Sequence, residues 1–313
     1  MTGQAEIKPL SVVILTHNEE VNLPACLAST RGLDCNVFVV DSGSSDRTVE
    51  IARSAGATVA VHPFEHYGAQ RNWAMKNLGI ETPWTLHLDA DERLSPELRD
   101  SISRAIANPN GYDGFMVGKA VFFMGRQIRY GGIFPSWHLR LFKSGLGRCE
   151  DRLYDQHFVL DGKAGHLRGS LFDVIGSDLT SWTARHNRWS DMEVMEIQSQ
   201  GSAADDQVQA RIFGTSIERR RWYRNRLFYR LPPFSRGFLY FIWRYLVRLG
   251  FLDGKPGLIF HFLHSCWYRF LVDAKLYQSQ IEREAGQLRT AEVPGSNEPH
   301  PQAAMVKEPE RAP

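Results

Sequence analysis

Three acids fall within four positions at Asp89-Ala90-Asp91-Glu92, directly after a short apolar run from Trp84 to Leu88. The run reads as a buried strand, and Ser95-Pro96-Glu97-Leu98 beyond it reads as the start of a helix. Carboxylates at i and i+2 of a strand point the same way. Crowding them at a strand end is costly unless a cation or a set of donors neutralises them. A hard divalent ion, Mg²⁺ or Mn²⁺, shared with the phosphates of a nucleotide diphosphate is the economical answer, because such ions take oxygen ligands. The plain alternative is a solvated acidic turn in front of a helix.

The elements that must position these acids are legible in order. Ser11 to Leu15 is a continuous apolar run suited to a parallel strand covered on both faces, and Thr16-His17-Asn18-Glu19-Glu20 follows it. Val37 to Val40 is a second strand, ending on Asp41-Ser42-Gly43-Ser44-Ser45-Asp46. Helices over Thr48–Ala55 and Ala69–Leu78 alternate with strands at Thr58–Val61 and Trp84–Leu88. Such alternation implies right-handed βαβ units and a mostly parallel sheet, whose ligands bind at the carboxyl ends of the strands. The polar clusters after Leu15, Val40 and Leu88 then share one edge.

Composition narrows the field. The 313 residues carry 37 basic and 35 acidic side chains, a net charge of +2, so no global signature of nucleic-acid binding is present. Cys26, Cys35, Cys149 and Cys266 have neither zinc nor CxxC spacing and read as free thiols of a reducing compartment. Met1 to Pro9 lacks the apolar stretch of a signal peptide, and no uncharged apolar run reaches the length of a conventional membrane span. A dinucleotide-binding domain is disfavoured, because no GxGxxG or GxxxxGK[ST] occurs and the turn after the first strand is acidic and bulky.

The segments SVVILTHNEEVNLPACLAS, VDSGSSDRTVEIARSAGA, YGAQRNWAM and WTLHLDADERL, in this order and spacing, resemble the nucleotide-binding half of a family 2 glycosyltransferase of GT-A fold. The likeness spans roughly residues 10 to 165 and is strongest to the bacterial branch that builds lipopolysaccharide cores and surface polysaccharides. It implies a nucleotide-sugar donor, with Thr16, Asn18 and Glu19 lining the nucleoside pocket, Asp41 reading the uracil edge and Ser42 beside it. It places Arg71 near base and diphosphate, Asp89 towards the ribose and metal, and Asp91 as principal metal ligand. Asp41 and Asp46 could equally cap the following helix, and Arg71 could be a surface arginine.

The resemblance also implies an inverting transfer, which needs a carboxylate to take the proton of the acceptor hydroxyl. The segment Glu150-Asp151-Arg152-Leu153-Tyr154-Asp155-Gln156-His157 lies at the expected distance. Asp155 is preferred for the apolar Tyr154, Phe158 and Val159 around it, then Asp151, with Glu150 also a candidate. Strands over Gly114–Phe123 and Trp137–Phe142 would build the acceptor side, where Arg126, Arg129 and Arg140 could meet an anionic acceptor or simply be solvated. Asp178 to Gln198 is an amphipathic helix whose His186 is expected to pack or be solvated rather than touch substrate.

Towards the C-terminus, Arg219 to Arg226 is basic and aromatic, and Phe238–Leu252 and Leu258–Val272 are strongly apolar around the turn Asp253 to Gly257. Aromatics beside arginines suit the interface plane of an anionic bilayer, with Arg221, Trp222, Trp243, Arg244, Arg248 and Trp267 as contacts. Each run is ~22 Å as a helix, too short for ~30 Å of hydrocarbon. The alternative is a buried helical hairpin packed on the catalytic part.

The expectation is therefore a flexible stretch over 1–9, a GT-A catalytic domain over 10–200 divided into a donor half (10–93) and an acceptor half (94–200), an amphipathic helical region over 207–288, and a disordered tail over 289–313. Its sheet is expected to be mostly parallel and Rossmann-like. The enzyme is expected on the cytoplasmic face of the inner membrane as a peripheral protein, acting on a lipid-linked or lipopolysaccharide-core acceptor, with Mg²⁺ or Mn²⁺ and no nucleic-acid partner. A sugar nucleotidyltransferase is opposed by the lack of a basic phosphate loop. A catalytically inactive membrane-docked scaffold is opposed by the intact acids.

Overall fold

The unalternating apolar run after Pro9 becomes strand β1 (Leu10–Thr16), every residue of it buried. A computed structural model describes residues 8–176, 178–199, 212–213 and 216–291. The expected flexibility of residues 1–7, the break at 201–206 and most of the disordered tail lie outside the described residues; positions 289–291 close a helix. Helix α1 (Leu23–Thr30), β2 (Cys35–Asp41), α2 (Thr48–Ser54), β3 (Thr58–Val61), α3 (Tyr67–Asn77) and β4 (Trp84–Asp89) follow in the expected alternation. β1 lies between β2 and β4, parallel to both, with Thr16 opposite Asp41 and Leu15 opposite Asp89. The carboxyl ends of three strands thus meet at one edge, as crossover geometry requires.

Core packing explains why both faces of β1 are apolar. Val12 and Ile14 face Leu23, Cys26, Leu98 and Ile102 on one side of the sheet. Val13 and Leu15 face Ala74, Tyr67 and Trp73 of α3 on the other.

Beyond Asp89 the sheet changes character. β5 (Glu92–Leu94), α4 (Pro96–Ala107), β6 (Gly114–Phe123), β7 (Arg126–Gln127), β8 (Ser136–Lys143), β9 (Gly147–Cys149), β10 (Phe158–Leu160) and β11 (Ala164–Ile175) follow. The main sheet runs β3-β2-β1-β4-β8-β6-β11-β5, with β7 on β6, and β9 and β10 pair separately. The expectation of a mostly parallel sheet is corrected here. β8 is antiparallel to both β4 and β6, and β5 is antiparallel to β11, while β6 and β11 are parallel. The cause is connection length: β6 returns to β8 without a crossover helix, so the strands must oppose.

The chain's reach then bends the sheet. Three peptide steps from Asp89 to Glu92 bridge about 10 Å, whereas β4 and β5, four steps apart in the strand order, would lie about 19 Å apart in a flat sheet. The conflict is resolved by curvature of the sheet, which brings its β5 edge back to the end of β4. β4 pairs with β8 only over Trp84–Leu86, leaving Leu88 and Asp89 unpaired on that side. Ala90 and Asp91 turn the chain from β4 into β5, and the Val174 amide donates to the Asp91 carbonyl.

The C-terminal helices are docked on this body. They are α5 (Leu179–Ser199), α6 (Ser216–Arg226), α7 (Ser235–Ile242), α8 (Gly254–His261) and α9 (Tyr268–Ala291); wider turns extend α7 through Val247 and link Phe262–Trp267 to α9. Trp182 of α5 and Phe260 of α8 pack with Phe123 and Ile128 of the sheet region. The carboxylate of Asp253 is buried, accepting from the amides of Arg129 (3.1 Å) and Tyr130 (2.9 Å). The packed-hairpin alternative therefore holds for one side of this region. Among the described residues no helix is long and apolar enough to cross a membrane.

Candidate functional site

Two loops at the carboxyl edge are knitted together by side chains that cap backbone amides. Asp41, 1% exposed, accepts from the amides of Gly43 (3.0 Å) and Ser44 (2.8 Å), and from the hydroxyls of Thr16 (2.9 Å) and Ser44. Asp46 accepts from the Glu20 amide and from the Thr48 amide at the start of α2, whereas the amides that Asp41 bonds belong to the loop, so of the two only Asp46 meets the following helix. Asn18 sits at φ +54°, a left-handed conformation that asparagine tolerates, and its side-chain oxygen accepts from the Ser45 amide. Thr16 and Asp41 are thus floor residues. Asn18 is exposed, whereas Glu19 and Ser42 are half-buried along the rim. Burial pushes the Glu19 carboxyl up, against its bond from Asn22 and the field of Arg185. Two residues not anticipated complete this wall: Gln70 donates to Ser42 Oγ (3.1 Å), and its amide oxygen meets His62 Nδ1 (2.7 Å).

The acids after β4 are sorted by their partners. Asp89 Oδ1 lies 2.6 Å from Arg71 Nη2 and Oδ2 lies 3.0 Å from Arg140 Nη2. Burial would raise the Asp89 carboxyl, but the two guanidiniums outweigh it and hold it below the ordinary carboxylate range. Arg140 also bonds Glu92 Oε1 (2.7 Å), and Lys119 reaches Glu92 (3.2 Å) and Asp173 (2.9 Å). Arg140 is buried among these acids, which corrects its expected place facing an anionic acceptor. Of the four acids Asp89, Asp91, Glu92 and Asp173, three pair with Arg71, Arg140 or Lys119. The fourth is Asp91: among the described residues its carboxylate has no hydrogen-bond or ion-pair partner. Burial, then the Asp173 and Asp89 carboxylates, push its carboxyl well above the usual range.

This arrangement fits a divalent cation on Asp91. With both Asp89 oxygens in ion pairs, the ligand role expected of the two aspartates rests on Asp91. No cluster of three protein ligands converges among the described residues.

Helix α3 carries the second acidic segment to the same edge. Its Asn72 side chain bonds both the amide and the carbonyl of Cys149 (2.8 Å each), and a Cβ on Gly68 would lie 2.2 Å from the Glu150 carbonyl oxygen. His66, the N-cap of α3, holds Asp151 at 3.0 Å, and the Arg71 guanidinium lies over the Phe158 ring. The three candidate bases part company here. Glu150 is fully buried; its carboxylate takes two bonds of 2.6 Å from Arg221 and one from the His157 amide, so its candidacy as base is corrected to a structural one. Asp155 adopts φ +58° and is clamped by Arg224 at 2.7 Å. Burial would raise its carboxyl, yet His157, Arg224 and Arg221 bring it down to about 2. Asp151, 76% exposed in its side chain, is the open one.

The expected membrane contacts are redistributed. Arg221 is spent on Glu150, and Arg244 is buried, donating to the Gly131 carbonyl (3.0 Å). Both are corrected to interior roles, because a guanidinium satisfies buried acceptors better than any other side chain here. Trp267 packs near Trp182 and Trp222 is half-buried; Trp243 and Arg248 are exposed. His186 stacks on Trp182 with centroids 3.5 Å apart, and burial lowers it to about 4, so it packs as a neutral ring.

Lys119 and Asp173 escaped notice in the sequence. The available signal was a lone charge inside an apolar strand, in GFMVGKAVFF and SLFDVI.

The model of glycosyl transferase family 2 matches residues 11–163. The lipopolysaccharide core biosynthesis glycosyltransferase LpsC of Rhizobium meliloti is 28% identical over 280 residues, covering 86% of this chain and 92% of LpsC. An uncharacterized glycosyltransferase of Rickettsia typhi is 33% identical over 49% of this chain and 48% of its own length. Among solved structures, S. aureus TarS superposes with a TM-score of 0.41 at 14% identity, over 86% of this chain and 91% of that one. Glucosyl-3-phosphoglycerate synthase from Mycobacterium tuberculosis, in complex with Mn²⁺ and UDP, does so at 0.30 and 22% identity over 38% and 45%. Residues 11–163 of this chain are a family 2 glycosyl transferase domain.

Proposed function

We propose that the chain moves a sugar from a nucleotide-sugar, a UDP-sugar in the first instance, to a lipid-linked oligosaccharide or lipopolysaccharide-core acceptor, with inversion at the anomeric carbon. The carrying observation is Asp91, the one carboxylate of the four with no hydrogen-bond or ion-pair partner among the described residues, just past the end of β4 beside the Thr16–Asp41 loops. Alignment with LpsC, a lipopolysaccharide core biosynthesis glycosyltransferase, over most of both chains supports the acceptor class; the setting that goes with this reading is the cytoplasmic face of the inner membrane.

In the transfer, the acceptor hydroxyl attacks the anomeric carbon, the bond to the β-phosphate oxygen breaks, and a carboxylate takes the hydroxyl proton. Asp151 comes first for that role, being open to solvent and free of an arginine clamp, whereas Asp155 is held by Arg224. Mg²⁺ or Mn²⁺ bound at Asp91 would supply Lewis-acid stabilisation of the departing diphosphate. Arg71 and Arg140 keep Asp89 ionised and fixed, so the edge holds its shape when donor enters.

A thermal-shift titration with UDP, GDP, CDP and dTDP, each with and without Mn²⁺, tests the donor half. Binding to the folded state alone stabilises by about 2.7 kcal/mol at ~100 Kd, so a clear rise in Tm is expected for UDP with Mn²⁺. A flat response to all four nucleotides would refute the reading.

A further inference from the structure

Helix α7 and the turn extending it are built inside out. Leu239, Ile242, Trp243, Leu246 and Val247 recur at helical spacing, and all five are exposed, at 44–65%. The opposite face turns Arg236 and Arg244 into the protein, where Arg236 pairs with Asp273 and Arg244 bonds the Gly131 carbonyl. A helix on a watery surface shows the reverse pattern. Phe251 and Leu252 continue the apolar surface past the turn, both more than 40% exposed.

The rim of this face is cationic. Arg248 lies over the Trp243 ring, and Arg126, reaching over from β7, donates to the Leu252 carbonyl (3.2 Å). Arg126, Arg129, Tyr130 and Leu252 border a concavity at the foot of the apolar face. Among the described residues Arg126, Arg129 and Arg248 have no carboxylate partner. The one acid between Ser235 and Phe262 is Asp253, which is buried and spent on backbone amides.

We infer that this composite face, the outward stripe of α7 with the arginine-lined concavity from β7, docks on an anionic lipid bilayer, seating a lipid headgroup phosphate between Arg126 and Arg129. An apolar stripe bounded by unpaired arginines matches an acyl boundary beneath anionic headgroups. Ser235 to Val247 is only about 20 Å long as a helix, so it lies in the interface rather than crossing it. The inference deepens the proposed function by naming the surface that meets the acceptor's membrane, and it rests on that reading only for the acceptor.

The test is co-sedimentation of the full chain with vesicles of equimolar phosphatidylglycerol and phosphatidylcholine, against vesicles of phosphatidylcholine alone. Binding to the anionic vesicles is expected. It should weaken about thirtyfold in the double variant Arg126→Gln/Arg129→Gln, since each basic residue near such a surface contributes roughly five- to sixfold. It should weaken at least tenfold in Leu246→Asp. Free glycerol phosphate should not compete, which separates a bilayer from a soluble phosphate as the ligand. Equal binding to both vesicles, no binding to either, or a dimer in solution that Leu246→Asp dissociates would each overturn the inference. The same Leu246→Asp protein should keep its nucleotide-induced thermal shift, so failure here and failure of the donor site read out separately.

Discussion

Replacing Asp91 by asparagine should abolish sugar transfer while leaving the protein as stable as the parent, or more so. Asparagine keeps the shape of the side chain and removes the negative charge that a bound cation would need. Losing several kcal/mol of charge stabilisation in the transition state, taken as about 4, corresponds to roughly a thousandfold in kcat. The stability half of the expectation comes from the neighbours. Burial and the carboxylates of Asp173 and Asp89 oppose the ionised form of Asp91, so removing its charge relieves the apoprotein. Turnover assays with and without Mn²⁺, run beside thermal melts, check both halves. Turnover that persists within tenfold of the parent would remove Asp91 from the mechanism. A loss of activity with a collapsed Tm would mean that its role is structural.

The second large effect is expected at a residue remote in sequence from the acids. Arg221→Met should destabilise the protein by about 3–5 kcal/mol, the usual result of removing one partner from a buried ion pair. Glu150 is fully buried and Arg221 nearly so, and the pair is bidentate. Arg221 also donates to the Asp155 carbonyl (2.9 Å), and Arg224 one turn on holds the Asp155 carboxylate. Arg152 and the Leu153 amide reach back to Glu196 of α5. The acidic segment from Glu150 to His157 is therefore held from above by α5 and α6. Catalysis should fall with stability in Arg221→Met. In the double variant Glu150→Leu/Arg221→Met, most of the stability should return, because two apolar side chains replace a buried pair at little net cost. Urea midpoints of the parent, both single variants and the double variant measure the coupling. A single-variant loss below about 1 kcal/mol would show that the pair is incidental.

The donor half was legible because its signals are local. Unalternating runs such as Ser11–Leu15 demand a strand covered on two faces, and three polar clusters after such strands must share an edge. That placed Thr16, Asp41 and Asp89 together, and the parallel register does so. Partnership was not legible. Arg140 lies 51 residues from Asp89, and Arg221 lies 71 from Glu150. Nothing in the periodicity of either segment says which cation meets which acid. The direction of a helix face was equally hidden. Around α7 the arginines and the apolar residues both recur at helical spacing, so the sequence presents two stripes and does not say which one faces the protein. The buried stripe is the basic one, because Asp273 and the Gly131 carbonyl wait inside for it. The acceptor half was misjudged for a different reason. β5 has three residues and β11 alternates between exposed and buried positions in its first half, so neither resembles the long apolar strands of the donor half.

The turn between β4 and β5 makes the spacing of the acidic motif a mechanical quantity. Ala90 and Asp91 are the whole link between strands that sit four places apart in the sheet. A two-residue turn that sets the spacing of charged groups tolerates lengthening poorly in function and well in folding, since loop length costs little by itself. One glycine inserted after Ala90 would shift Asp91 relative to Asp89 and its arginines while the hydrophobic layers stay packed. Such a protein should melt near the parent's temperature and yet fail to respond to nucleotide with Mn²⁺. An inserted glycine that left this response intact would mean that the nucleotide site does not depend on the spacing of Asp89 and Asp91.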